Sequence, residues 1–209
     1  TEVLVSLSVS FTDANANPGT TVISTTNGSA VQFDKTAPTL SPVTAVSTPD
    51  NDSTPNYTFY SNEAGTITYA GDCSSSDTSA DADNNTITFN ELADGTHNNC
   101  TISVTDSASN SSDNLPVSSF AIDTTAPTLS PVTAVSTPTG DNTPDYTFTS
   151  SEAGTISYGG ACGSSTSSSA SSGENTVTLT QPDNSTPLSD GTYNCTIKVT
   201  DNASNESYD

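Results

Sequence analysis

Basic side chains are nearly absent from this chain of 209 residues, which sets 24 acidic residues against two lysines, Lys35 and Lys198, with no arginine and a net charge of −22. Such a chain cannot neutralise phosphates, so nucleic acid is excluded as a partner. Docking on an anionic membrane is disfavoured for the same reason. Tryptophan and methionine are missing, and only 30% of residues are hydrophobic. Serine and threonine together number 74. That is too polar for one large core, and it suits small sandwiches in which Thr occupies strand positions. No apolar run approaches the ~20 residues of a membrane helix, so no membrane insertion is expected. Position 1 is Thr and no leader-like segment opens the chain, which reads as a processed form or an excerpt.

Catalytic equipment is equally sparse. His97 is the only histidine and has no counterpart in the repeat described below. No nucleophile–base set, phosphate loop or zinc spacing occurs. Carboxylates are plentiful, but they fall in loops and linkers rather than opposed across an aromatic-lined groove. The chain is therefore expected not to be an enzyme.

What is present is a repeat. Residues 36–48 and 125–137 both read TAPTLSPVTAVST, an offset of 89. The offset holds through Glu63-Ala-Gly-Thr and Glu152-Ala-Gly-Thr, and becomes 95 at VTDSASN (104–110) and VTDNASN (199–205). A period near 90 residues matches an immunoglobulin-like sandwich. Period-2 alternation supports strands, as at Tyr57/Phe59, Ile67/Tyr69, Ile87/Phe89 and Ile102/Val104. The expected fold is all-β: tandem immunoglobulin-like sandwiches of about seven strands each, with no helices of note. Strands A to G are expected near 39–47, 55–60, 65–70, 85–90, 99–105 and 115–122, with D unassigned.

Residues 35–123 then form a first module and 124–209 a second that stops short of its strand G. Residues 1–34 resemble the last two strands of a preceding module. They suit either a window cut from a long tandem array or a donor extension that completes another subunit by strand exchange.

Each module holds two cysteines. The parity of Cys100-x-Ile102-x-Val104 and of Ile67-x-Tyr69-x-Gly71-x-Cys73 places each pair on neighbouring strands. Bridges Cys73–Cys100 and Cys162–Cys195 are expected, and with them an oxidising compartment. A tyrosine corner is expected at Tyr193-Asn194-Cys195 only, since the first copy reads His97-Asn98-Asn99-Cys100.

The linkers Phe33-Asp34-Lys35-Thr36-Ala37-Pro38-Thr39 and Ile122-Asp123-Thr124-Thr125-Ala126-Pro127-Thr128, the SNEAGT and SSEAGT turns and the VTDSASN and VTDNASN loops resemble bacterial immunoglobulin-like (Big) repeats. Such repeats build the stalks of giant extracellular adhesins. The resemblance covers essentially the whole chain and implies a spacer at the cell surface. Its partners would be neighbouring repeats or identical subunits, with a cell-surface or glycan target elsewhere.

In such a sandwich the BC and FG loops lie at the end where the linker arrives. There the first module would gather Asp34, Glu63, Asp106 and Asn110, and the second Asp123, Glu152, Asp201 and Asn205. Carboxylate and amide oxygens are the ligands Ca²⁺ takes, and the resemblance implies Ca²⁺ between modules. Asp81-Ala82-Asp83-Asn84-Asn85 opens like an EF-hand loop but lacks Gly at position 6 and Glu at 12. Ten Asn-x-Ser/Thr sequons occur, which the Ser and Thr content nearly produces alone. A glycan- or ice-binding module is the remaining reading, though no Thr ladder is apparent.

Overall fold

The computed structural model describes residues 8, 10, 12–19 and 33–208. Its secondary structure is β throughout, with no helix among the described residues. None there is long and apolar enough to cross a membrane.

The first module opens with β1 (Leu40–Thr44), β2 (Asn56–Ser61) and β3 (Gly65–Ala70). Then follow β4 (Ser79–Ala80), β5 (Asn84–Thr88), β6 (Gly95–His97) and β7 (Thr101–Thr105). It closes with β8 (Leu115–Pro116) and β9 (Phe120–Ile122). One sheet runs β1-β2-β5 and the facing sheet β4-β3-β7-β8, every ladder antiparallel. Alternation does what the sequence pattern requires: in β2, Tyr57, Phe59 and Ser61 turn inward. Tyr57, Phe59, Phe89 and Phe120 fill the space between the sheets, with ring centroids 6.1–6.5 Å apart along the row.

The last strand departs from expectation. Strand G is not continuous over 115–122 but divides into β8 and β9. Pro116 has no N–H to extend the ladder on β7. Val117 N donates to Cys100 O at 2.9 Å, the chain crosses at Ser118-Ser119, and β9 pairs with β6 instead. This break lets Leu115 and Val117 cover one part of the core and Phe120 and Ile122 another. Fully burying such side chains contributes roughly 1.5–3 kcal/mol each.

The second module repeats the plan with β10 (Leu129–Thr133), β11 (Asp145–Ser150), β12 (Gly154–Gly160) and β13 (Gly163–Ser164). It ends with β14 (Ser169–Ala170), β15 (Gly173–Thr180) and β16 (Cys195–Thr200). Its sheets run β10-β11-β15-β13 and β14-β12-β16. Over the described residues Glu206 and Ser207 lie along the far end of β16, as Ser111 and Ser112 do along β7, but no strand pairs with its start as β8 pairs with β7. Its core is correspondingly smaller. Phe148, Ile156, Val177 and Val199 are buried, whereas Tyr146, Leu188 and Ile197 are only half-buried.

Both expected bridges form, Cys73–Cys100 and Cys162–Cys195, each with Cα atoms 5.3 Å apart. They tie the segment after the third strand of each module to the start of the strand paired beside it in the same sheet. Such bonds persist in oxidising environments. The corner is conserved in geometry, against the sequence expectation that only the second module has it. Tyr193 O–H donates to Ser189 O at 3.0 Å, and His97 Nε2–H does the same to Ala93 O at 3.0 Å. Histidine thus takes the tyrosine's place, its ring tilted 30° against Phe120 with centroids 5.4 Å apart.

The strands expected within residues 1–34 lie mostly outside the described residues. The segment 12–19 is described, and Asp13–Asn17 has the bonding of the two later loops. Asp13 Oδ1 accepts from Asn15 N and Asn17 N at 2.9 Å, and Asn17 Nδ2 donates to Asp13 Oδ2 at 2.9 Å.

Candidate metal centres at the entry ends of the modules

Three devices bring carboxylates together where each linker meets its module. The first is the turn between the second and third strands. The buried Ser61 hydroxyl donates to Glu63 O at 2.6 Å, and Ser150 to Glu152 O at 2.6 Å, which fixes the turn that presents each glutamate. The glycine of Glu-Ala-Gly-Thr has a steric reason. A Cβ on Gly65 would lie 2.7 Å from Val104 Cγ1, and one on Gly154 would lie 2.8 Å from Val199 Cγ1, because the neighbouring strand of the same sheet lies close against it. The motif therefore seats the glutamate against the start of the next device.

That device is the loop Asp-x-x-x-Asn. Asp106 Oδ1 accepts from Ala108 N and Asn110 N, both at 2.8 Å, and Asp201 Oδ1 accepts from Asn205 N at 2.8 Å. The fourth residue of each loop, Ser109 or Ser204, takes a positive φ of 69° or 75°. In each loop the Asn Nδ2 donates to the second oxygen of the aspartate at 2.9 Å. A carboxylate offers about four lone-pair positions, so both aspartates retain acceptor capacity.

The linker is the third device. Asn205 Nδ2 donates to Asp123 O at 2.7 Å, and Asn110 Nδ2 to Asp34 O at 3.4 Å. The asparagines were expected as ligands through their amide oxygens. Their amide nitrogens clip the linker backbone onto the loop, which leaves both amide oxygens unengaged by these bonds.

The outcome is two matching acidic sets. Asp34, Glu63 and Asp106 present oxygens within 4.8 Å of one another, and so do Asp123, Glu152 and Asp201. Carboxylate oxygens gathered this closely could share one hard cation. Asp201 is buried, with 8% of its surface exposed. The Glu152 carboxyl is pushed up from its ordinary value, first by burial and then by Asp123, Asp201 and Asp94. Hydrogen bonding from Asn110 holds Asp106 below the usual carboxylate range.

Asp94 was missed by the sequence reading. It lies in the first module just before β6, and it accepts from Thr124 N (3.1 Å), Thr124 Oγ1 (2.8 Å) and Thr125 Oγ1 (2.8 Å). These bonds, the Thr124 hydroxyl foremost, depress its carboxyl. The linker Asp123-Thr124-Thr125 is thus held by the module it leaves and by the module it enters. The one available signal was recurrence: Leu92-Ala-Asp94-Gly-Thr returns as Leu188-Ser-Asp190-Gly-Thr.

The other acidic loops are turns. Asn85 bonds Asp81 N, Asp81 O and Asp83 O, and Asn175 makes the same bonds to Ser171 and Gly173, which carry no charge. Thr58 and Thr86 hydroxyls pair at 2.9 Å, and Thr147 and Thr176 at 3.0 Å. With Thr44 and Thr133 beside them they make one Thr row per module.

No protein-family model matches the chain, and no curated protein sequence does.

Proposed function

We propose that the chain is a non-enzymatic extracellular spacer. Its tandem immunoglobulin-like modules would extend a bacterial surface adhesin or fibre, with junctions stiffened by Ca²⁺. The observation that carries this reading is the convergence of linker, turn and loop carboxylates at the entry end of both modules. Like charges so close repel unless a cation bridges them. A Ca²⁺ ion there would join the linker to the second module through Asp123, Glu152 and Asp201. Asp94 already joins it to the first. Both bridges agree with an extracellular setting. Four features support a spacer: the repeated modules, the short bonded linker, the mixed Ser/Thr surface and the high negative charge.

Extracellular Ca²⁺ modules have dissociation constants of roughly 0.1–1 mM, so ~10 mM Ca²⁺ should stabilise each module by about 1–3 kcal/mol. Melting curves and small-angle scattering in Ca²⁺ and in EDTA test this. The expected result is a higher Tm and a longer, stiffer particle with Ca²⁺. Identical curves and profiles in both buffers would refute the calcium part.

A further inference from the structure

The second module carries residues that the first lacks, and they gather at one place. Phe89 N and Leu92 N donate to Pro55 O and Ser53 O, as Leu179 N and Leu188 N donate to Pro144 O and Asn142 O, so these positions correspond. Leu92 stands three positions after Phe89, but Leu188 stands nine after Leu179. Another residue is added between Cys162 and Ala170, relative to Cys73 and Ala80. In the first module the short connection closes down: Asn90 N donates to Ser74 O at 2.8 Å, and Asn90 Nδ2 to Ser74 Oγ at 2.9 Å. In the second, the two lengthened loops line a cleft of about 590 Å³ together with Ile156 and Tyr158 of β12. That lies within the roughly 300–1,000 Å³ of small-molecule sites.

Hydrogen bonds hold both loops. Asn184 takes a φ of 58°, which asparagine tolerates, and its Oδ1 accepts from Ser164 N at 3.1 Å. Thr166 Oγ1 accepts from Thr178 N at 3.0 Å, and Tyr158 O–H donates to Ser167 O at 2.6 Å. Asp183, beside the cleft, accepts from Ser185 N at 3.0 Å and Thr186 N at 2.8 Å, so its carboxylate is committed to its own loop.

Charge sets what the cleft can take. The first module has Asp72, Asp77, Asp81 and Asp83 between Gly71 and Asn84, whereas no charged residue occurs from Ala153 to Gly173. Thr166 stands where Asp77 does, since Asp77 Oδ2 accepts from Thr88 N at 3.1 Å. The lining offers the hydroxyls of Ser157, Ser165, Thr166 and Ser168 and the amide of Asn184, with Tyr158 and Pro182 as its less polar flank. Hydroxyls both donate and accept. Such a lining holds no carboxylate for a metal ion and no cation for an anion, and the net charge of −22 repels anions. A neutral ligand rich in hydroxyls, with a C–H face to lay on Tyr158 or Pro182, matches it.

We propose that this cleft of the second module is a carbohydrate subsite that takes a short neutral saccharide. This goes beyond the spacer reading and does not rest on it.

The test is an NMR titration of the whole 209-residue chain with the methyl glycosides of glucose, galactose, mannose and N-acetylglucosamine, and with maltose, cellobiose and lactose. Concentrations run to ~50 mM, above the millimolar Kd of a weak site. At least one sugar should shift resonances within 156–168 and 182–184, leaving 67–78 of the first module unmoved. The uronic acid of the sugar that binds should bind about tenfold more weakly. Ser165→Leu and Ser168→Leu, both at exposed positions, should each weaken binding about tenfold. Replacing residues 180–187 with Asn-Glu, the connection of the first module, should abolish it. No shift with any of these sugars, shifts outside the cleft, or a uronic acid that binds as well overturns the proposal. So does binding that survives both leucine substitutions together.

Discussion

The two modules share a plan and a bridge but not a core. In the first, Tyr57, Leu92, Cys100 and Ile102 are buried. In the second, their counterparts Tyr146, Leu188 and Ile197 are half-buried and Cys195 is exposed. Phe59 and Phe148, far from the edge, are buried in both, and so are Val104 and Val199, where Ser112 and Ser207 lie alongside the strand in both modules. The difference therefore maps onto the place filled by Leu115, Val117, Phe120 and Ile122. It shows that in so thin a sandwich the last strand is a large share of the core rather than a cover on it.

The sharpest way to remove the difference is Phe120→Ala. Loss of a buried Phe costs roughly 3–5 kcal/mol, and Phe120 contacts both Phe89 and His97. Calorimetry of the chain should show two transitions, and this change should bring the first module's down toward the second's. An unaltered upper transition would contradict the comparison.

Reduction should widen the difference. Each bridge closes a loop of about 30 residues and contributes roughly 3 kcal/mol. Cys195 is exposed while Cys100 is 2% exposed. Under graded reductant, alkylation and mass spectrometry should find Cys162 and Cys195 labelled before Cys73 and Cys100. The second module's transition should fall first.

The smallest effect concerns the junction. Burial and neighbouring carboxylates raise Glu152 above its ordinary 4.5. Between that value and the raised one, the folded state binds more protons than the unfolded state. Its ionisation therefore costs stability as pH rises through that window. Without metal, Glu152→Gln should raise the second module's Tm slightly at pH 7 and have no such effect below pH ~4.5. In Ca²⁺ the same change should lower Tm, because a ligand is lost. Asp94 has the opposite sign: hydrogen bonds depress it, so its contribution is present above 3.8 and lost as pH falls.

The sequence alone determined the modules, the disulfide pairing and both acidic sets. All three follow from local facts that repeat: an identical 13-residue linker strand, period-2 parity and motifs of fixed spacing. Turn and loop bonds such as Asp106–Asn110 close over four residues, so their residues suffice to specify them. Three features were decided only by the tertiary structure. Asp94 joins the junction because β6 delivers it 30 residues away from Thr124 in sequence. His97 serves as a corner because its ring nitrogen reaches the same carbonyl that a tyrosine hydroxyl reaches in the second module. Strand G divides because one half finds its partner on β7 and the other on β6. Each depends on which distant backbone lies alongside, and no local pattern encodes that.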